Sequence, residues 1–298
     1  MKFSGVSAFP ITPMNEKTVD QANFERLIGR LVEAGVESIG VEGSTGNYPY
    51  LTHDERVEIA SVAVSCARGT PVIASIGAFR TRDILTLAEH LQSAGINALL
   101  LPIVSYHGLG EEEVFSLFKS VSQNVSVPVI IYDSPVISRF TFSDALYARI
   151  CALPHIGSIK VPSGWPNQRE AAQRIQRLAQ ALPSTTAIGA SGDDTLAEAV
   201  KAGAKIWYSE WGGLFPQKAR ALMQAALASD EAQIARLSAQ FKSFWDISRK
   251  YGGSIRPIAA AASILGLAAS DNLPLPLHGV SDEDRATIEQ EIARHGMN

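Results

Sequence analysis

The run Leu85-Thr86-Leu87-Ala88-Glu89-His90-Leu91-Gln92-Ser93-Ala94-Gly95-Ile96-Asn97-Ala98-Leu99-Leu100-Leu101 decides how the chain is organised. It reads as an amphipathic helix, then Ala-Gly, then a short, wholly apolar strand. Glycine after a last helical turn suits the left-handed residue that ends a helix and lets the chain turn directly into a strand. The same grammar recurs in Leu27 to Val41 around Ala34-Gly35, and in Leu196 to Tyr208 around Ala202-Gly203. Other strands fill the intervals: Pro71 to Ile76, Pro128 to Tyr132, His155 to Lys160 and Thr185 to Gly189. Val6-Ser7-Ala8-Phe9 opens the series.

These strands are apolar throughout rather than alternating, the pattern of parallel strands covered on both faces. Counted along the chain, strands fall near residues 6, 38, 71, 98, 128, 156, 186 and 205. Eight β-α units within about 225 residues predict a closed (β/α)₈ TIM barrel. An open, doubly wound sheet would carry a glycine-rich phosphate turn after its first strand, and none stands there. From Ser229 to Asn298 no strand signal remains, and Pro257, Pro274 and Pro276 read as breaks between helices. The expected organisation is a catalytic barrel over residues 1–228 and a C-terminal helical domain over 229–298.

Composition excludes other classes. Of 298 residues, 46% are hydrophobic and 19% charged, ample for a large core and unlike a disordered chain. The net charge of −4, with no long basic run, argues against nucleic acid or membrane surfaces as partners. Two distant cysteines, Cys66 and Cys151, support neither a disulfide framework nor a zinc-thiolate site. The six histidines are scattered without paired ligand spacing, so no metal is expected. Met1 to Pro13 has no secretory pattern, and the longest apolar run, Ile258 to Ala269, is too short to span a bilayer. A soluble cytoplasmic protein is the expectation.

In such a barrel, chemistry sits where strands end and loops follow. Of the nine lysines, Lys160 alone closes an apolar strand at that end. Partial desolvation there favours the neutral amine, which attacks a ketone to form a Schiff base. A strand-end lysine can also simply reach back to water. Tyr132 ends the neighbouring strand, and a phenol held by hydrogen bonds can relay protons. Gly43-Ser44-Thr45-Gly46 offers hydroxyls and backbone N–H groups that suit a carboxylate, or else is a plain glycine turn. In Ser191-Gly192-Asp193-Asp194, an aspartate reads as the N-cap of the next helix, with Gly189 and Gly192 leaving room for a ligand.

Together these motifs, with Ser163-Gly164 after Lys160 and Ile264-Leu265-Gly266-Leu267 in the tail, resemble the dihydrodipicolinate synthase/N-acetylneuraminate lyase family over almost the whole chain. The resemblance implies class I aldolase chemistry on pyruvate or another 2-oxo acid, without metal or organic cofactor. It also implies a homotetramer built as a dimer of dimers. Lys160 would be the Schiff-base lysine, Tyr132 the proton relay, and Ser44 and Thr45 the holders of the substrate carboxylate.

Departures from the family pattern bear on the second substrate. Tyr106, a candidate substrate-binding residue, is displaced by about two positions from the family's tyrosine, which completes a relay across a subunit interface, and Arg139 by about two from the arginine that binds a second carboxylate. Asn47 stands where a glutamate commonly follows the glycine loop. Trp207, Tyr208, Glu210 and Trp211 replace a small aliphatic stretch, and the two tryptophans are expected to narrow the pocket or to stack on a face of the substrate. Glu210 either puts an anion near the mouth or pairs with Arg80 and only shapes the wall. The expected activity is a Schiff-base lyase/aldolase or dehydratase acting through Lys160 on pyruvate or a 2-keto-3-deoxy sugar acid. Alternatives are 4-hydroxy-tetrahydrodipicolinate synthase, condensing pyruvate with an aldehyde, and a non-catalytic binder of 2-oxo acids.

Overall fold

A computed structural model describes residues 2–164 and 166–297. Met1 and Asn298, the outermost residues of the two expected domains, lie outside the described residues. The strands are β1 (Gly5–Ala8), β2 (Ser38–Val41), β3 (Val72–Ser75), β4 (Ala98–Pro102), β5 (Val129–Tyr132), β6 (Ile156–Pro162), β7 (Ala187–Ser191) and β8 (Ile206–Ser209). All eight are parallel, and β8 returns to pair with β1, so the sheet closes into a barrel in sequence order. Helices α1 (Gln21–Ala34), α2 (His53–Cys66), α3 (Thr81–Ser93) and α4 (Glu111–Ser122) follow the first four strands. The short α5 (Pro135–Ser138) precedes α6 (Asp144–Cys151), α7 (Gln168–Ala181), α8 (Leu196–Lys201) and α9 (Pro216–Leu227). A C-terminal helical part follows: α10 (Glu231–Lys250), α11 (Ile255–Ile264) and α12 (Asp282–His295). Pro257 lies in the first turn of α11, where a missing N–H costs no helical bond, so the break falls just before it.

The three Ala-Gly junctions behave as their chemistry requires. Gly35, Gly95 and Gly203 take φ of 70°, 93° and 117°, a region that a side chain rarely tolerates. Each α-to-β connection is therefore short, and the helices lie back against the barrel. On α1, Phe24, Leu27, Ile28 and Leu31 are buried, each contributing about 1.5–3 kcal/mol.

Strand periodicity sorts the side chains into layers. Phe9, Ile73, Leu100, Ile130, Tyr132, Ile206 and Tyr208 form the core inside the barrel, while Leu99, Leu101, Ile131 and Trp207 face outward to the helices. A third cluster joins Ile11, Trp211, Leu214 and Phe215 to Phe241, Phe244 and Ile258 of the helical part. This corrects the expectation for β8. Trp207 sits in the outer layer and Trp211 packs on Phe215 and Phe244, so neither crowds the barrel mouth. Among the described residues, no helix is long and apolar enough to cross a membrane.

Candidate active site

Strand register brings Lys160 and Tyr132 side by side, and Lys160 is paired in turn with Gly189 on β7. Both side chains point to the barrel mouth from strand ends that the sheet holds rigid. Lys160 is 4% exposed, with its Nζ 4.0 Å from the centre of the Tyr132 ring and 5.9 Å from that of Phe9. The Tyr132 hydroxyl lies 3.0 Å from Ser44 Oγ, beyond the end of β2. Amine, phenol and hydroxyl thus form one continuous line along the floor of a cavity. Thr45 is buried beside them, and Tyr208 closes the floor with its hydroxyl donating to Ser158 Oγ at 2.7 Å. Burial pushes the Tyr208 phenol well up, which fits a structural rather than a proton-transfer role.

The loop that carries Ser44 and Thr45 is braced from behind. Glu42 has φ 56°, is fully buried, and its Oε2 accepts from Arg56 Nε at 2.8 Å. Arg56 also donates to the carbonyls of Ser75, at 2.6 Å, and Gly77, at 2.8 Å, which ties the end of β2 to the end of β3. Burial pushes the Glu42 carboxyl up to about 7, and Arg56 only partly offsets it. Asn47 takes φ 62° on the same loop, fully enclosed.

Beyond β7 and β8 a second brace appears. Asp193 does not cap a helix. Its Oδ1 accepts from the Trp207 indole at 2.9 Å, and its Oδ2 from Ser209 Oγ and from the Trp211 N–H, both at 3.0 Å. Burial, and then the neighbouring Glu210 carboxylate, push its carboxyl up to about 7. Glu210 lines the cavity and accepts from Ser254 Oγ in the connection between α10 and α11. It makes no pair with Arg80, which is exposed at the start of α3. Asp194 pairs instead with Arg249 of α10 at 2.6 Å.

The cavity over Lys160 measures about 530 Å³, within the usual range for small-molecule sites. Lys160, Tyr132, Ser44, Thr45 and Glu210 all line it. Three other expected residues do not. A Cβ on Gly189 would lie 2.2 Å from the Tyr208 ring, so this glycine makes room for an aromatic side chain and not for a ligand. Tyr106 is 86% exposed, stacked edge-on against His107, outside the cavity. Arg139 is exposed at the end of α5, and apolar Val136 and Ile137 line the mouth where a cation was expected.

Three functional positions escaped the sequence reading. Asp133 lines the cavity, fully buried, with its Oδ2 accepting from Tyr147 at 2.6 Å and from Arg174 at 3.2 Å; burial pushes its carboxyl up. The Glu42–Arg56 pair is the second, and the Asp193 clamp the third. Arg56 had a signal: it shares the buried face of α2 with Ile59, Ala60 and Ala63, an odd place for a lone cation.

Among the described residues, no group of three or more His, Cys, Asp or Glu side chains is placed to hold a metal ion. The model of the dihydrodipicolinate synthetase family matches residues 2–295. A 4-hydroxy-tetrahydrodipicolinate synthase of Nitrobacter hamburgensis is 32% identical over 233 residues, 78% of this chain and 76% of its own. The enzyme of that name from Sulfurihydrogenibium sp. is 26% identical over 302 residues, 99% of either chain. The crystal structure of a dihydrodipicolinate synthase from Agrobacterium tumefaciens is 41% identical, with a TM-score of 0.93 over 98% of this chain and 97% of that one.

Proposed function

We propose that the chain, which belongs to the dihydrodipicolinate synthetase family and is with it a class I, Schiff-base-forming lyase, acts through Lys160 on pyruvate or a 2-keto-3-deoxy sugar acid. The observation that carries this reading is the line from Lys160 through Tyr132 to Ser44 in one confined cavity.

The Lys160 nitrogen attacks the C2 ketone, and the carbinolamine loses water to give a protonated imine. That imine accepts the electron pair of the bond that breaks at C3, C3–C4 in cleavage and C3–H in dehydration. In the cleavage direction the C4 hydroxyl gives up its proton, the C3–C4 bond breaks, an aldehyde departs and an enamine remains. In dehydration, C3 loses a proton and C4 loses its hydroxyl as water. Tyr132 moves protons at the hydroxyl and imine, with Ser44 as its hydrogen-bond partner. Ser44 and Thr45 receive the substrate carboxylate through hydroxyl and backbone N–H groups. The lysine itself supplies the electron sink, so the reaction needs no metal or organic cofactor.

The choice of a sugar acid rests on the mouth. With Arg139 and Tyr106 outside the cavity, the one arginine that lines it among the described residues is Arg249, already held by Asp194 and Asp246, and Glu210 opposes the carboxylate of aspartate semialdehyde. The names of the relatives favour the second reading, 4-hydroxy-tetrahydrodipicolinate synthase. Exposed Phe79 and Tyr106, on the neighbouring loops after β3 and β4, suit the homotetramer that the resemblance implies.

The test is chemical trapping. Pyruvate with borohydride should leave a reduced adduct on the peptide containing Lys160, and Lys160→Ala should abolish it. Trapping at another lysine, or none with any 2-oxo acid, would overturn the mechanism. Comparing kcat/KM for 2-keto-3-deoxy acids with that for pyruvate plus aspartate semialdehyde then decides between the two reactions.

A further inference from the structure

Asp133 carries a buried charge that the chemistry at Lys160 and Tyr132 does not account for. It follows Tyr132 directly, and the alternation of the strand turns the two side chains to opposite faces. Tyr132 belongs to the core inside the barrel, whereas the Asp133 carboxylate meets the surrounding helices. Its Oδ2 accepts from the Tyr147 hydroxyl on α6 and from Arg174 Nη1 on α7, at 2.6 and 3.2 Å. Arg174 also donates to the Phe142 carbonyl, stands 5.0 Å from the centre of the Tyr147 ring and lies 3.6 Å from Asp144. Burial pushes the Tyr147 phenol well up, so it stays protonated and donates. The Asp133 N–H donates to the Lys160 carbonyl at 3.0 Å. One residue is thus bonded to Tyr132 through the chain, hydrogen-bonded to the backbone of Lys160 and fixed to two helices.

Only half of the carboxylate is engaged. Asp133 is 1% exposed, and its Oδ1 accepts no hydrogen bond among the described residues. A buried acceptor left without a donor is costly, and most buried polar groups avoid it. Here the residue lines the cavity together with Lys160. Burial pushes the Asp133 carboxyl up; the Tyr147 hydrogen bond, then Arg174, and then the charge of Lys160 oppose the rise. That attraction is mutual, so an anion at Asp133 favours positive charge on the Lys160 nitrogen. Asp144, Tyr147 and Cys151 of α6 and Arg174 of α7 are the ionisable neighbours on its helical side. Tyr132, Tyr208 and Glu210 face Lys160 across the cavity. Glu210 reaches away to Ser254, whereas Asp133 is tied to the lysine's own strand.

We propose that Asp133 is a positioning residue that acts through Lys160, as the fixed counter-charge of the protonated imine. The proposal rests on the reading that Lys160 forms that imine. Positive charge appears when the neutral carbinolamine loses water. An anion already held by Tyr147 and Arg174 meets that charge without reorganising.

Two variants separate charge from shape. Asp133→Asn removes the charge and keeps an oxygen for Tyr147, while Asp133→Glu keeps the charge on a longer arm. Pyruvate is trapped with cyanoborohydride between about pH 5 and about pH 9, and intact-protein mass gives the rate. Attack needs an unprotonated amine and reduction a protonated imine, so the rate is bell-shaped in pH. Without the anion both cationic forms lose their proton more readily, and the whole bell moves to acid. Asp133→Asn should move it by about one unit, and at the parent's optimum should slow exchange of the pyruvate methyl hydrogens in D2O about tenfold. Asp133→Glu should leave the bell in place. Asp133→Ser, also neutral, repeats the measurement if the asparagine variant does not fold. A bell that stays within about 0.3 unit in the neutral variant, whatever its height, makes Asp133 a brace only; the proposal is overturned and the lysine reading stands. An equal shift in Asp133→Glu overturns it too, because shape then sets the profile. An adduct on another lysine, or none in the parent protein at any pH, overturns the lysine reading and the counter-charge with it.

Discussion

Replacing Arg56 by alanine tests how the loop of Ser44 and Thr45 is held, and its cost follows from the contacts. Arg56 is 5% exposed, and its three nitrogens serve Glu42, Ser75 and Gly77 at 2.8, 2.6 and 2.8 Å. Stranding a buried charge usually costs about 3–5 kcal/mol. Here the charge has an escape, because burial already pushes the Glu42 carboxyl up to about 7. At neutral pH it takes up a proton for less than about 0.5 kcal/mol. What remains is two orphaned carbonyls, about 1 kcal/mol each, and the lost cover over Tyr48, for a total of about 2–4 kcal/mol. The sign of the pH dependence is fixed. In the variant, folded Glu42 keeps its proton well above 7 while the unfolded chain, ionising near 4, has lost it. The unfolding free energy of the variant therefore falls by about 1.4 kcal/mol per pH unit above 7. In the parent protein, Glu42 is ionised in both states there and adds no slope. Below about 7 and above about 4 the two lose stability in parallel as pH rises. Urea unfolding of both proteins from about pH 6 to about pH 9 measures the gap. A gap that stays constant across that range, or one under about 1 kcal/mol at neutrality, would refute the reasoning.

Other outcomes are equally definite. Tyr132→Phe should lower kcat by about 10²–10⁴-fold while 2-oxo acids still form an adduct; near-normal turnover would remove Tyr132 from the proton path. Gly189→Ala drives a methyl into Tyr208 and should cost about 1–3 kcal/mol in urea unfolding; a neutral result would mean that the ring moves freely. Exhaustive chelation should leave turnover unchanged, and loss restored by a divalent ion would contradict the cofactor-free mechanism.

The barrel was legible because parallel strands covered on both faces must be apolar throughout, and the short Ala-Gly junctions punctuate them. Lys160 was legible as a candidate for a related reason: a cation ending such a strand stands out against its surroundings. Side-chain direction on β8 was not legible. In Ile206-Trp207-Tyr208-Ser209 every residue is apolar or uncharged, so composition does not tell the inner face from the outer one. Gly189 held the missing clue, since the tight space beside Lys160 had to be left for some bulky neighbour, and Tyr208 fills it. Glu42 escaped because it follows β2 directly and reads as the first residue of a polar loop. Its partner lies 14 positions on, within α2, and only tertiary packing brings the two together. Asp193 misled for another reason: an aspartate before a helix is the commonest cap, and its true partners are donors that only the β7–β8 pairing delivers.

The two braces divide the work of the mouth between different parts of the fold. Glu42 and Arg56 lock the loop of Ser44 and Thr45 to β3, entirely within the barrel, so this side of the cavity is as rigid as the strands. Asp193 instead gathers Trp207, buried among the barrel helices, and the backbone of Trp211, buried against α10. Glu210 lies between those two anchors and reaches across to Ser254. Its position is therefore set by how the helical part packs on the barrel. A change in that packing would move the Glu210 wall of the cavity and leave Lys160, Tyr132 and Ser44 in place. The outer wall of the cavity can thus shift with the C-terminal helices while the strand-end residues stay in place, a separation expected when rigid strands hold one part of a site and connecting loops the other.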